Sequence, residues 1–237
     1  MVRRLVGVVT LWTLCILACA GLAAAAVWEE KPFTAWSDKE LAAITSDSPW
    51  AQKFNVVVQS LPRGGGDDEG GRGGPGGGRG GGAPGGGGGG GFGGGLVPAP
   101  QLKLLATWRS ALPMKQAAVR QEVGLDGVVP AESQALLERS ERFYVVTLTG
   151  LAAFFNRATG NLKAETVLKR EGKAPIAPED VLVQQVQNGL LLVFAFPKTD
   201  PITLEDKQVE LFTKLGQIEI KKKFNLKSMV FHGKLEL

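Results

Sequence analysis

A long glycine-rich tract interrupts the chain and limits which parts of it can fold together. Residues 64–95 contain 23 of the 33 glycines in the sequence. Glycine loses more backbone freedom on folding than any other residue, and a tract with almost no apolar side chains cannot offset that loss by forming a core. We therefore expect residues 63–100 to form a disordered loop between a short segment, 27–62, and a larger domain, 101–237.

The arginines of the tract invite comparison with Arg-Gly segments that bind RNA. Arg63, Arg72 and Arg79 are few, however, and the acidic residues at 67–69 match them in number. Phe92 is the one aromatic side chain in the tract that could stack on a base. The composition therefore favours a spacer and predicts no nucleic-acid partner.

The segment 27–62 is too short to form an independent domain without a disulfide or metal. Residues 54–59 and 102–109 both have the β-branched and apolar composition of strands. We expect these two strands to pair, with the glycine-rich tract as the loop between them. The entropy of loop closure grows only logarithmically, so the extra length costs roughly 2 kcal/mol.

The N-terminus has the three parts of an export signal. Arg3 and Arg4 precede an uncharged apolar stretch that ends in small residues at 23–26. Ala24 and Ala26 form a cleavage motif, so residues 1–26 are predicted to be a signal peptide that is removed to leave Val27 as the first residue. The mature protein is then periplasmic or secreted.

Two other outcomes for the leader remain open. Residues 16–19 are similar to a lipoprotein box, in which Cys19 is lipidated and holds the protein at a membrane, for example as an outer-membrane lipoprotein. The uncleaved stretch is also about as long as a bilayer requires, so it could serve as an anchor. Cys15 and Cys19 are the only cysteines, and both lie in the leader, so the mature chain has no disulfide. Its net charge is +4 before removal of Arg3 and Arg4 and +2 after it.

The larger domain is predicted to be rich in antiparallel β-structure. Asn188-Gly189 and Leu215-Gly216 each separate two apolar runs, which is the signature of a β-hairpin. Ser37 and Glu40 form a capping box, and residues 113–123 and 130–139 have the composition and boundaries of helices. The fold class is α+β: an antiparallel sheet or sandwich with two to four short helices, interrupted by the disordered loop.

Four side chains are candidates for surface binding. Trp36 and Trp50 would either line a ligand groove or cover one edge of the sheet, as large aromatic residues of small cores do. Lys221 and Lys223 alternate with apolar residues in a predicted strand and would share one face with Glu219. They would either bind anionic lipid or polysaccharide or form the solvated face of the strand.

Several motifs together resemble those of exported acidobacterial proteins of undefined activity. They are Trp36-Ser37-x-Lys39-Glu40, Asp47-Ser48-Pro49-Trp50-Ala51 and, after the glycine-rich gap, Trp108-Arg109-Ser110-Ala111-x-Pro113. The resemblance extends to the C-terminus, through the lysines at 221–223 to the last five residues. It implies an envelope protein with this organisation, and it implies no catalytic residue.

The sequence offers few groups for catalysis. His232 is the only histidine, no serine lies in a nucleophile-elbow motif, and no cofactor is expected. The adjacent acidic pairs at 179–180 and 205–206 lack the loop pattern of a calcium site. A non-enzymatic envelope or secreted protein that binds another protein or a glycan is therefore favoured. A hydrolase of polysaccharide or peptidoglycan that uses a carboxylate pair remains the alternative, and an assembly subunit that pairs through its edge strands is a third.

Overall fold

The computed structural model describes residues 27–58, 101–124 and 127–237. The predicted signal peptide with Ala24, Ala26 and Cys19, and the predicted loop 63–100, lie outside the described residues. Contacts within the chain define one compact unit that contains the described residues up to Val56 and from Leu102 onward. A second unit, Val57–Gln101, contains only Val57, Val58 and Gln101 among the described residues.

Short helices and short 3-10 turns connect the strands. The α-helices are α1 (Val27–Glu30), α2 (Asp38–Ser46), α3 (Leu112–Val123), α4 (Ala131–Glu138) and α5 (Leu162–Glu165). The 3-10 turns cover Phe33–Ala35, Ala153–Ala158, Leu204–Asp206 and Leu226–Met229. Three α-helices have eight or more residues, in agreement with the predicted two to four.

The predicted capping box starts helix α2. The Ser37 hydroxyl accepts a hydrogen bond from the Glu40 amide, and the Glu40 carboxylate accepts one from the Ser37 amide at 2.8 Å. Lys31 donates to the same carboxylate at 2.7 Å, and these donors, with Lys31 foremost, lower the pKa of Glu40 to about 2. The helix therefore begins where local chemistry places it, and it buries Leu41 and Ile44.

The strands form two main sheets and a small C-terminal hairpin. They are β1 (Ala51–Val57), β2 (Gln101–Trp108), β3 (Phe143–Leu151), β4 (Val167–Arg170), β5 (Asp180–Val186), β6 (Gly189–Pro197), β7 (Gln208–Leu215), β8 (Ile218–Asn225), β9 (Val230–Phe231) and β10 (Lys234–Leu235). The first sheet has the order β1-β2-β3-β6-β5 and the second has the order β4-β7-β8. The predicted α+β, mainly antiparallel fold is confirmed.

The predicted pairing across the glycine-rich tract is also confirmed, because β1 and β2 are neighbours in the first sheet. Strand β1 begins three residues before its predicted start, at Ala51. The Trp108 amide donates to the Trp50 carbonyl at 2.7 Å, so the start of β1 lies beside the end of β2, as in an antiparallel pair.

The two sheets face each other across an aromatic core. Trp108 of β2 meets Phe224 of β8 edge to face, with the ring centroids 5.6 Å apart, and it meets Tyr144 of β3 in the same way at 5.8 Å. All three side chains are buried. Edge-to-face contacts of this kind stabilise a core by about 1 kcal/mol each, in addition to the free energy gained by burying the apolar surface.

Both predicted hairpins are present, but each turn lies one residue from its predicted position. Leu215 already pairs with Ile218, so the turn between β7 and β8 is Gly216-Gln217. The hairpin of β5 and β6 exists, but its turn is Gln187-Asn188, and Gly189 already pairs with Val186. Asn188 does not have the positive φ that an Asn-Gly turn of this type requires; the His232-Gly233 turn between β9 and β10 does, with φ of 48° and 77°. Residues 162–169, whose β-branched residues at 166–167 predict a weak strand, begin instead as helix α5, because Leu, Lys, Ala and Glu favour helix.

Residues 190–196 of strand β6 are apolar throughout, a pattern that predicts a strand covered on both faces. One face is buried, and the alternating residues on the other are only half-buried. An apolar run therefore does not distinguish a fully covered strand from one with a single buried face.

Gly150 is required by the contact between β2 and β3. Its φ is +97°, and a Cβ at this position would lie 2.2 Å from the Lys103 carbonyl oxygen. Gly172 also has a positive φ, +70°, but a Cβ there would meet no atom within 4 Å. The two positions thus share a backbone requirement and differ in available space.

We expect Gly150→Ala to lower the free energy of unfolding by roughly 3 kcal/mol or more, because backbone strain and a clash act together. Gly172→Ala should lower it by about 1 kcal/mol, from the backbone conformation alone. Urea denaturation of the two variants measures this difference. An equal loss of unfolding free energy in the two variants would contradict the close approach of β2 and β3.

Candidate functional site

The outer face of the second sheet carries a cluster of lysines around one aromatic ring. We use the name basic face for this surface. It contains Lys169 of β4, Glu210, Phe212 and Lys214 of β7, and Glu219, Lys221 and Lys223 of β8. The register places Phe212 opposite Lys221, Glu210 opposite both Lys169 and Lys223, and Lys214 opposite Glu219. Because side chains alternate along a strand, all seven project from the same side of the sheet.

Phe212 organises the centre of the basic face. The Lys169 ammonium lies 3.7 Å from the centroid of the Phe212 ring, and the Lys221 ammonium lies 5.6 Å from it. A cation above an aromatic ring is attracted by about 0.5–1 kcal/mol at an exposed site. This attraction holds the two ammonium groups near the sheet instead of leaving them to move freely in solvent.

Two glutamates neutralise part of the charge. Lys221 lies 2.7 Å from Glu219, and their hydrogen bond raises the pKa of Lys221 and lowers the pKa of Glu219. Lys223 lies 4.0 Å from Glu210. Among the described residues, Lys169 and Lys214 have no carboxylate oxygen within 4.0 Å, so the basic face keeps an excess of two positive charges.

Polar depressions lie at both ends of the basic face. One has a volume of about 350 Å³ and is lined by Lys169, Arg170, Glu171, Gln208, Glu210 and Lys223. The other, of about 320 Å³, is lined by Arg157, Ala158, Gly160, Asn161, Glu165, Lys214 and Gly216. The two depressions adjoin opposite ends of β7, which spans about 24 Å at the usual rise per residue.

The structure separates the four predicted binding residues into two groups. Lys221 and Lys223 are exposed on the face that strand alternation predicted, together with Glu219. Trp36 and Trp50 are wholly buried, so a role for them in lining a ligand groove needs correction. The Trp50 ring packs between Trp28 and Phe231, and its Nε1 donates to the Glu236 carbonyl at 2.9 Å.

Sequence reasoning missed the other residues of the basic face. The alternation of Glu210, Phe212 and Lys214 with buried residues is a signal within β7 that could have identified three of them. Lys169 had no such signal, because its position over Phe212 depends on the pairing of β4 with β7 across more than forty residues.

Comparison of the chain with models of protein families, with curated proteins and with solved structures found no match. Within the described ranges, no three His, Cys, Asp or Glu side chains converge in the manner of a metal site. No helix in the described part is both long and apolar enough to cross a membrane.

A charged cluster beneath the second sheet has a structural role. The Arg170 side chain is wholly buried and donates to Asp200 and to the Ala174 carbonyl. Nearby, Lys173 lies 2.7 Å from the buried carboxylate of Asp206, which also accepts the Thr203 amide at 2.9 Å. These contacts connect the end of β4 to the loop that enters β7, so they fix the position of the basic face.

The pKa of Asp206 reflects two opposing effects. Burial alone would raise the pKa, but the Lys173 ammonium, the Thr203 amide and the charge of Arg170 outweigh burial and lower it below the ordinary value of 3.8. A carboxylate with a lowered pKa stabilises the fold above its unfolded pKa, and this stabilisation is lost as the pH falls through the folded pKa.

We expect Asp206→Asn to lower the free energy of unfolding by about 2 kcal/mol at neutral pH, because Lys173 loses its partner. The difference from the natural protein should shrink as the pH falls from about 3.8, the ordinary value, through the lower pKa of the folded carboxylate, which then also becomes neutral. Urea denaturation at several pH values measures both effects. The neighbouring exposed carboxylate provides the control: Glu205→Gln should change stability by less than about 0.5 kcal/mol.

Proposed function

We propose that this protein is a non-catalytic, exported binding protein and that its basic face binds an acidic polysaccharide. The observation that carries the proposal is the position of Lys169 and Lys221 around Phe212, at 3.7 Å and 5.6 Å from its ring centroid. Cations that are already held near a surface lose less conformational freedom when they bind an anion. Lys214 and Lys223 extend the same surface to both sides.

The shape of the basic face favours a linear polymer over a small ligand. The lysines follow strand β7 for most of its length, and an open polar depression lies at each end. A small ligand is usually bound in a single concave pocket that encloses most of its surface. An extended chain with regularly spaced carboxylates could instead contact several lysines at once.

The existing ion pairs do not oppose such binding. Exposed pairs such as Lys221 with Glu219 contribute about 0–1 kcal/mol, because water screens both charges. A lysine that exchanges its glutamate partner for a carboxylate of the ligand therefore loses little free energy. The binding energy arises from several weak contacts and should decrease as salt screens them.

The alternative function is a hydrolase that uses two carboxylates. One depression does contain two, Glu171 and Glu210. A glycosidase requires a protonated acid, which usually sits in an apolar setting that keeps it neutral. The other residues that line this depression are charged or polar, and it lies on an open sheet face. The surroundings therefore favour binding over catalysis.

We expect the variant Lys221→Gln with Lys223→Gln to bind polygalacturonate roughly tenfold more weakly than the natural protein, since two exposed contacts are worth about 1.4 kcal/mol together. The matched control is Lys39→Gln with Lys227→Gln, which removes the same charge from exposed positions elsewhere and should bind normally. Isothermal titration at two salt concentrations measures the affinity, with neutral dextran as the control ligand.

Equal loss of affinity in both variants would show that net charge alone governs binding and would overturn the assignment to the basic face. Release of reducing ends from polygalacturonate or from peptidoglycan, abolished by Glu210→Gln, would overturn the non-catalytic function. Circular dichroism checks that each variant keeps its fold.

Export is tested by the mass of the mature protein. We expect the intact mass from the soluble fraction of producing cells to correspond to a chain that begins at Val27, because Ala24 and Ala26 form the cleavage motif. A mass that begins at Cys19 with attached acyl chains, in the membrane fraction, would assign the protein to the lipoproteins instead. A full-length mass in the cytoplasmic fraction would contradict export.

A further inference from the structure

Strand β5 lies at one end of the first sheet, and among the described residues its outer edge has no partner strand. It pairs with β6 along its whole length, from Asp180 opposite Ala195 to Val186 opposite Gly189. No described strand pairs with its other side. The register with β6 is unbroken, so the outer edge is straight over seven residues and offers a full row of backbone donors and acceptors.

One face of β5 is open to solvent along the whole strand: Leu182 is 55% exposed and Val186 is 39% exposed. On the other face Val181 and Val183 are half-buried and Gln185 is exposed. Helix α5 contacts both β7 of the second sheet and β5. This helix therefore connects β5 to the second sheet.

The edges of the second sheet are protected, in contrast to β5. Strand β8 carries three consecutive lysines, Lys221 to Lys223, which oppose pairing with a like strand. Strand β4 has four residues, and Leu168 already forms a bridge with Ile176. Strand β5 lacks features that discourage edge pairing: after Asp180 it contains no charged residue, no proline and no bulge.

We propose that β5 pairs with β5 of a second copy of this chain, antiparallel and about a two-fold axis at Val183. This register gives the fullest overlap, with all seven residues paired. It places Leu182 of one copy opposite Gln184 of the other, and Asp180 opposite Val186. The two Asp180 carboxylates then lie about 20 Å apart, so no like charges meet.

A second copy fits this edge better than an unrelated strand. A two-fold axis requires a surface that is complementary to itself, and an uncharged strand with a central valine meets that requirement. The strand offers no charged side chain after Asp180 that could select a different partner. The two first sheets would join into one continuous sheet of ten strands.

The contact is small, so the dimer should be weak and dependent on concentration. Pairing of two seven-residue strands buries less surface than a standard interface, and such contacts have dissociation constants on the order of micromolar or weaker. Sedimentation velocity of the full protein over a wide concentration range measures this equilibrium directly.

We expect the natural protein to sediment as a monomer at low concentration and as a dimer at high concentration. Leu182→Lys should weaken dimerisation at least tenfold, since it places two lysines near each other across the axis. Val128→Lys provides the control, because Val128 is 89% exposed and lies away from β5 in the chain. A monomer at every concentration, or a Leu182→Lys dimer of unchanged affinity, would overturn the proposal.

A second substitution tests the register. In the pairing about Val183, the double variant Leu182→Lys with Gln184→Glu places each new lysine opposite a new glutamate of the other copy. We expect it to regain most of the lost affinity at low salt and to lose it again at high salt. Failure of the double variant to dimerise, with an unchanged circular dichroism spectrum, would overturn this register.

Discussion

The fold depends on the contacts of Trp108, which connect three parts of the chain that local structure would leave separate. Its amide binds the Trp50 carbonyl and so joins the N-terminal segment to the first sheet. Its ring packs against Tyr144 in the same sheet and against Phe224 in the second sheet. The cysteines lie outside the described residues, so no disulfide can replace these contacts in the described part of the chain. An aromatic core of this kind explains why a segment as short as 27–58 holds its structure.

The elements that could be predicted from the sequence are those that local chemistry determines. The capping box of Ser37 and Glu40 and the end of helix α3 at Gly124 need only neighbouring residues, and both are where the sequence placed them. The turn of the β5 hairpin was assigned to the wrong residues. Asn-Gly favours a turn with both residues at positive φ, but here the pairing of the flanking strands places Gly189 in the ladder. The register of the hairpin strands thus overrode the preference of the Asn-Gly pair.

The residues of the candidate site also differ in whether local sequence could predict their positions. Alternation within a single strand was sufficient to place Lys221 and Lys223 on one exposed face, because that inference needs only the period of a strand. The position of Lys169 over Phe212 requires the register between β4 and β7, and the sequence carries no local signal for it. The tryptophans were ambiguous for a different reason. Large aromatic residues serve both cores and binding grooves, and only the three-dimensional packing around Trp36 and Trp50 decides between them.

Dimerisation through β5 would strengthen binding by the basic face. Each lysine of the basic face contributes little on its own, because exposed ionic contacts are worth about 0–1 kcal/mol. A dimer joined through β5 carries two basic faces, and a polysaccharide that reaches both binds the second at an effective concentration that can be millimolar. Affinity can then rise by orders of magnitude without any new contact. A weak edge pairing and a weak electrostatic surface are each marginal alone, but a long polymer that binds both copies would also stabilise the dimer, because the two equilibria are linked.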